Sequence, residues 1–166
     1  MCSYMPANNN SSRNRNLLWT FAVFLLLLAF IPTPTLNMSE RMDTLPKPFT
    51  IEIEGKPVTK ADASLEEPEH ATTAGSEPAV FQLKNGRLEC EGRILARRQI
   101  EDRSLLPKRV YWFPQDCQDP THEVMAFEDG DEYKLMFAGA PLLLNDGRVF
   151  ATLLEHDASN VVLKMQ

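Results

Sequence analysis

The chain has little that marks an enzyme. Its three histidines, His70, His122 and His156, are scattered, and no two stand one helical turn apart as zinc ligands do. There is no Gly-x-Ser-x-Gly turn to carry a hydrolase nucleophile and no glycine-rich phosphate loop. Asp129-Gly130-Asp131-Glu132 lacks the alternating ligands and distant glutamate of a calcium loop, and reads as a hairpin turn. Carboxylates such as Glu101, Asp102 and Glu128 are plentiful. Spacing alone does not set two of them across a cleft, as glycoside hydrolysis requires. No catalytic, cofactor-binding or metal-binding residue is therefore predicted.

Basic excess is also missing. The net charge is −6, which argues against a nucleic-acid partner. The charge is uneven: +2 over residues 1–31, −5 over 32–78 and −3 over 79–166. Sustained helical periodicity is absent beyond residue 79; "IEDRSLLP" (100–107) could form one helical turn, with Pro107 ending it.

One long apolar run is present. "LLWTFAVFLLLLAFI" (17–31) follows a leader with two arginines and no acid. That is the pattern of a secretory signal, and positive charge ahead of it keeps the N-terminus cytoplasmic. Fifteen residues suit a long signal core and fall short of the roughly 20 of a spanning helix. Two readings stay open: a cleaved signal peptide, giving an extracellular protein, and an uncleaved single-pass anchor through residues 17–31. Both place residues 36–166 in a lumenal or extracellular space. Asn37-Met38-Ser39 would there be an N-glycosylation sequon at Asn37. Cysteine is scarce. With Cys2 in the leader, Cys90 and Cys117 remain as a candidate disulfide, the alternative being two buried free thiols.

Residues 36–78 are acidic and proline-rich, with the composition of a solvated linker. "FTIEIEG" (49–55) interrupts them with strand-like alternation, and the flanking Pro48 and Pro57 suit an edge strand. His70 reads as a solvated linker residue.

From 79 to 166, short alternating runs are separated by turns such as Asn85-Gly86, Glu91-Gly92 and Asp146-Gly147. About eight strands result, so the fold class is all-β: a small antiparallel sandwich or barrel. Alternation assigns to the core Phe81, Leu83, Leu88, Ile94, Val110, Trp112, Val124, Ala126, Leu135, Phe137, Leu143, Val149, Leu153, Val161 and Leu163. Leu83-Lys84-Asn85-Gly86-Arg87-Leu88 echoes Leu144-Asn145-Asp146-Gly147-Arg148-Val149, as two hairpins with the same turn chemistry would. The run "GRLECEGRILARRQIEDRSLLPKRVYWF" (86–113) resembles a stretch of small, predicted-secreted, β-rich proteins of filamentous fungi. The resemblance implies secretion and a β fold, and no catalytic residue.

The same run holds the candidate binding face. As a strand, 93–99 would project Arg93 and Arg97 from its outer face, with Tyr111 and Phe113 outward on a neighbour. Interleaved acids favour a salt-bridged sheet edge; the functional alternative is an anion-binding patch. The expected activity is non-catalytic recognition of an extracellular or lumenal protein or glycan. A carbohydrate-binding module using Tyr111, Trp112 and Phe113 is the alternative. A small lumenal enzyme with a carboxylate site is the third class.

Overall fold

Alternating apolar and polar residues become strand wherever a turn lets the chain reverse, and here the turns are nearly identical. Asn85-Gly86 and Asp146-Gly147 each hold φ near +50° and then near +74°. That is the type I′ geometry that matches strand twist, and its second position suits only a residue without Cβ. A computed structural model describes residues 40–62, 66–130 and 132–166, all within the compact unit Ser39–Gln166. The apolar run 17–31, Cys2 and Asn37 lie outside the described residues. Among those described, no helix is long and apolar enough to cross a membrane.

The strands, in chain order, are β1 (Arg41–Met42), β2 (Phe49–Ile53), β3 (Lys56–Pro57), β4 (Glu69–His70), β5 (Val80–Lys84), β6 (Arg87–Cys90) and β7 (Arg93–Ala96). Then follow β8 (Lys108–Arg109), β9 (Tyr111–Pro114), β10 (Val124–Asp129), β11 (Glu132–Phe137), β12 (Leu142–Asn145), β13 (Arg148–Ala151) and β14 (Val161–Met165). The largest sheet runs β14-β2-β5-β6-β7-β9-β4, with β3 paired to β2; β1-β10-β11 and β12-β13-β8 form two smaller sheets. All pairings between these strands are antiparallel. The fold is all-β, as expected.

The described residues of the segment expected to be a linker, 40–62 and 66–78, are built into this unit. β2 is not an edge: β14 pairs along its length, and β3 and β5 pair with its two ends. Phe49, Ile51 and Ile53 are fully buried, as are Leu45, Val58 and Ala71 from the same acidic stretch. Acidic composition reflects outward positions such as Glu52 in β2 and Glu54 in the turn after it, while the inward ones supply core. The expected boundary at residue 78 is therefore not a boundary of the folded unit. His70 is half-buried in β4: its Nε2 lies 2.9 Å from the Val149 carbonyl, and its ring packs edge-on against Phe150.

Eleven of the fifteen expected core residues are buried. Leu143 is only partly so, because Leu142 takes the inward position, and Leu153 is exposed because Ala151 ends the inward run of β13. Val161 and Leu163 are half-buried on the flank of β2. The two echoing hairpins have equivalent registers, Leu83 opposite Leu88 and Leu144 opposite Val149. Residues 100–107 form no helical turn; the chain loops through them.

Candidate functional site

The expected face made by Arg93, Arg97, Tyr111 and Phe113 does not exist as a surface. Leu95 lies opposite Trp112 in the register of β7 and β9, so both enter the main core. Arg97, two residues beyond Leu95, follows the same inward parity and is only 5% exposed. The other face of this strand pair is covered too: Ile94, Ala96 and Phe113 form a second small cluster, with Tyr111 and Cys117 against it. Placing Leu95 and Arg97 outward assumed one wet face where β7 has two dry ones.

The aromatic triplet is correspondingly unavailable as a platform. Trp112 stacks on Phe81 in the core at 5.5 Å between ring centroids, and Phe113 is fully buried. Tyr111 is half-buried among Phe113, His70 and the Arg98 guanidinium, which lies 5.0 Å from its ring. Arg93 lines an open groove of about 890 Å³ that also carries Glu66, Glu91 and Asp116, so no cationic patch forms around it.

Cys90 and Cys117 are free thiols in this structure. Strand β7 lies between them: Cys90 is opposite Arg93, Arg93 is opposite Pro114, and Cys117 closes a turn on Pro114. Two sheet spacings put Cys90 about 9–10 Å from Pro114, the residue on which the Cys117 turn closes.

What the stretch does build is a loop, residues 100–107. Its entry stem is an antiparallel ladder in which His122 N–H donates to the Arg97 carbonyl and Gln99 N–H to the Pro120 carbonyl. Its exit stem is β8, paired with Phe150 and Ala151 of β13. Each stem carries a buried cation that turns toward the loop. Arg97 donates through NH2 and Nε to Glu101, at 2.6 and 3.4 Å, and through NH1 to the Phe137 carbonyl at 2.9 Å. Lys108, also 5% exposed, donates to the Asp102 carbonyl at 2.9 Å, to its Oδ1 at 2.8 Å, and to Ser104 Oγ at 3.2 Å. All three ammonium protons are thereby matched.

Asp102 in turn accepts from Ser104 N–H at 2.9 Å and from Ser104 Oγ, an Asx-turn with Arg103 at its tip. The hydrogen bonds from Lys108 and Ser104 hold the Asp102 carboxyl well below the usual carboxylate range.

Between these anchors the loop shows apolar side chains to water. Ile100 is 82% exposed, and Leu105 and Leu106 are each 70% exposed. Arg103 is exposed beside them. An open cavity of about 390 Å³ adjoins the entry stem, lined by Gln99, His122, Met125, Phe127 and Met136. Desolvating two cations is costly, and a buried ion pair is weak evidence for stability. Here the two cations fix the backbone of a loop whose apolar residues could have been buried and are not, the arrangement of a contact surface.

No cluster among the described residues could hold a metal. Residues 100–107 were missed as a site because they have no alternation. The available signals were Arg97 and Glu101 four apart, and three large apolar residues in an otherwise polar stretch.

Fold and loop together define a small all-β protein that shows an apolar loop to water. A family model for peptidase inhibitor I66 matches residues 81–164, and the chain belongs to that family. That stretch spans β5 through most of β14 and contains the whole loop. The match supports the expected resemblance only at the level of this family. No curated protein and no solved structure matches the chain.

Proposed function

We propose that the protein is an extracellular or lumenal peptidase inhibitor that offers residues 100–107 to the target's cleft. The observation that carries this is the pair of buried cations, Arg97 and Lys108, holding both ends of a loop with Ile100, Arg103, Leu105 and Leu106 turned out. A flexible loop would be an ordinary substrate. A loop fixed beforehand loses little conformational freedom on binding and keeps that affinity. Arg103 at the tip suits a primary pocket that carries a carboxylate, and the flanking leucines suit apolar subsites. Membership of an inhibitor family supports a protein partner and a role without catalysis.

The test is inhibition of a panel of peptidases, including several that cut after arginine, by the secreted chain and by Arg103→Ala. Inhibition weakened about thirtyfold or more by the substitution is expected, the effect of losing a central anchor. Inhibition that Arg103→Ala and an Ile100/Leu105/Leu106 triple serine variant leave unchanged would place the contact elsewhere.

A further inference from the structure

The geometry points to Lys108 as the group that keeps residues 100–107 an inhibitor instead of a substrate. Its ammonium spans the Arg103–Ser104 peptide bond and grips both new ends when a peptidase cuts there. This rests on the inhibitory reading above and adds to it a positioning residue and a specific bond.

The atoms on the two sides of that bond are unusually well held. On the acyl side, Lys108 bonds both the backbone carbonyl and the carboxylate of Asp102. On the leaving side, Lys108 and Asp102 both bond the Ser104 hydroxyl, and Asp102 also accepts from the Ser104 nitrogen itself. Arg103, between them, is exposed, as is Asp102 beside it.

In the cut, the peptidase's nucleophile adds to the Arg103 carbonyl carbon. The C–N bond breaks, and the Ser104 nitrogen leaves with a proton as a new amine. Two fates follow. Water can take the nucleophile's place and leave an Arg103 carboxyl group. Alternatively the amine attacks the same carbon, gives up its proton and expels the nucleophile, which restores the peptide bond with no other reagent. In an ordinary substrate the amine end drifts off and water wins. Here the Ser104 end stays tied to Lys108 and Asp102, and its concentration at the acyl carbon remains far above that of a free amine. The two pieces also share strand pairs, β2 with β14 and β7 with β9, so they remain one folded unit.

The experiment starts from full-length chain cut at Arg103–Ser104 by an arginine-specific peptidase, seen as the gain of one water in intact mass. Re-formation of the uncut chain is then followed with catalytic peptidase present. Pre-cut wild type should regain the bond, and Lys108→Met should regain at least about tenfold less, as expected for losing charged hydrogen bonds. Ser104→Ala, at a half-exposed position, should fall between. Thermal melting is recorded alongside, and Ser104→Ala decides if Lys108→Met is unfolded. Equal re-formation by the variants and wild type would overturn the role of Lys108, as would wild type that inhibits through Arg103 but never re-forms the bond. Wild type that neither inhibits nor is cut at Arg103 by any peptidase of the panel would remove the inhibitory reading itself, and this inference with it.

Discussion

Arg97 and Glu101 meet side by side at the mouth of the loop, the guanidinium Nε and NH2 each facing one carboxylate oxygen, with side chains only 6% and 16% exposed. A third donor of the same guanidinium closes on the Phe137 carbonyl. The pair therefore ties the start of the loop to the end of β11.

Arg97→Met should cost about 3–5 kcal/mol, because it leaves the Glu101 carboxylate nearly buried and unpaired. Arg97→Met with Glu101→Gln should recover part of that loss, since the stranded charge goes with it. Chemical denaturation of the single and double variants checks both. If the single variant costs less than about 1 kcal/mol, as exposed pairs do, the pairing does not hold in solution.

Arg97 also shows where sequence pattern stops. The Asx-Gly turns, the alternation of β5, β6, β10 and β11, and hence the all-β class were legible, because each rests on local geometry. The facing of β7 was not. Period two gives two possible sets, and only the register of Leu95 against Trp112 chooses between them. Phe113 was misplaced because a second small core, built from Ile94, Ala96 and Phe113, covers the face expected to be wet. In the acidic stretch 40–78 the alternation of β2 was legible, whereas β1, β3 and β4 are two residues each and too short to show a period. The site depends on Lys108 folding back six residues to Asp102 and Arg97 reaching Phe137 forty residues away, and no spacing rule signals the second.

Gly75 belongs to that acidic stretch. It is exposed, yet a Cβ added there would lie 2.8 Å from both Cβ and Oγ1 of Thr59. Thr59 is 3% exposed and fixed by its hydroxyl hydrogen bond to the Thr72 carbonyl. Gly75→Ala should therefore destabilise by about 1–3 kcal/mol, as overpacking does, despite its surface position. A melting temperature unchanged by the substitution would show that Gly75 does not pack on Thr59 as described.

The two thiols should differ in reactivity. Cys90 is buried in the main core, and burial pushes its thiol pKa up, so thiolate is scarce. Cys117 is half-buried and lines the open groove beside Arg93. Iodoacetamide on the native protein should label Cys117 first, and Cys90 only after denaturation; peptide mass mapping reads the order. Two unlabelled cysteines in a chain lighter by two hydrogens would instead establish the Cys90–Cys117 bond.

His70 gives the folded unit a dependence on pH with a definite sign. Its pKa is lowered, chiefly because burial against Tyr111 and Phe150 disfavours the imidazolium, and further by the charges of Arg109 and Arg148; the hydrogen bond to the Val149 carbonyl opposes this in part. Below the ordinary histidine pKa of about 6.5 the unfolded chain binds the proton that the folded chain refuses. The His70 contribution is thus fully present above that pH and is lost as pH falls through it toward the lower folded value. His70→Gln keeps an amide able to meet Val149 but cannot titrate. Denaturation from pH 8 to pH 5 should show a loss for wild type over the acid half of that range that is smaller in the variant. Identical pH profiles would mean that His70 titrates alike in the folded and unfolded chains, which the packing of β4 against β9 and β13 does not allow.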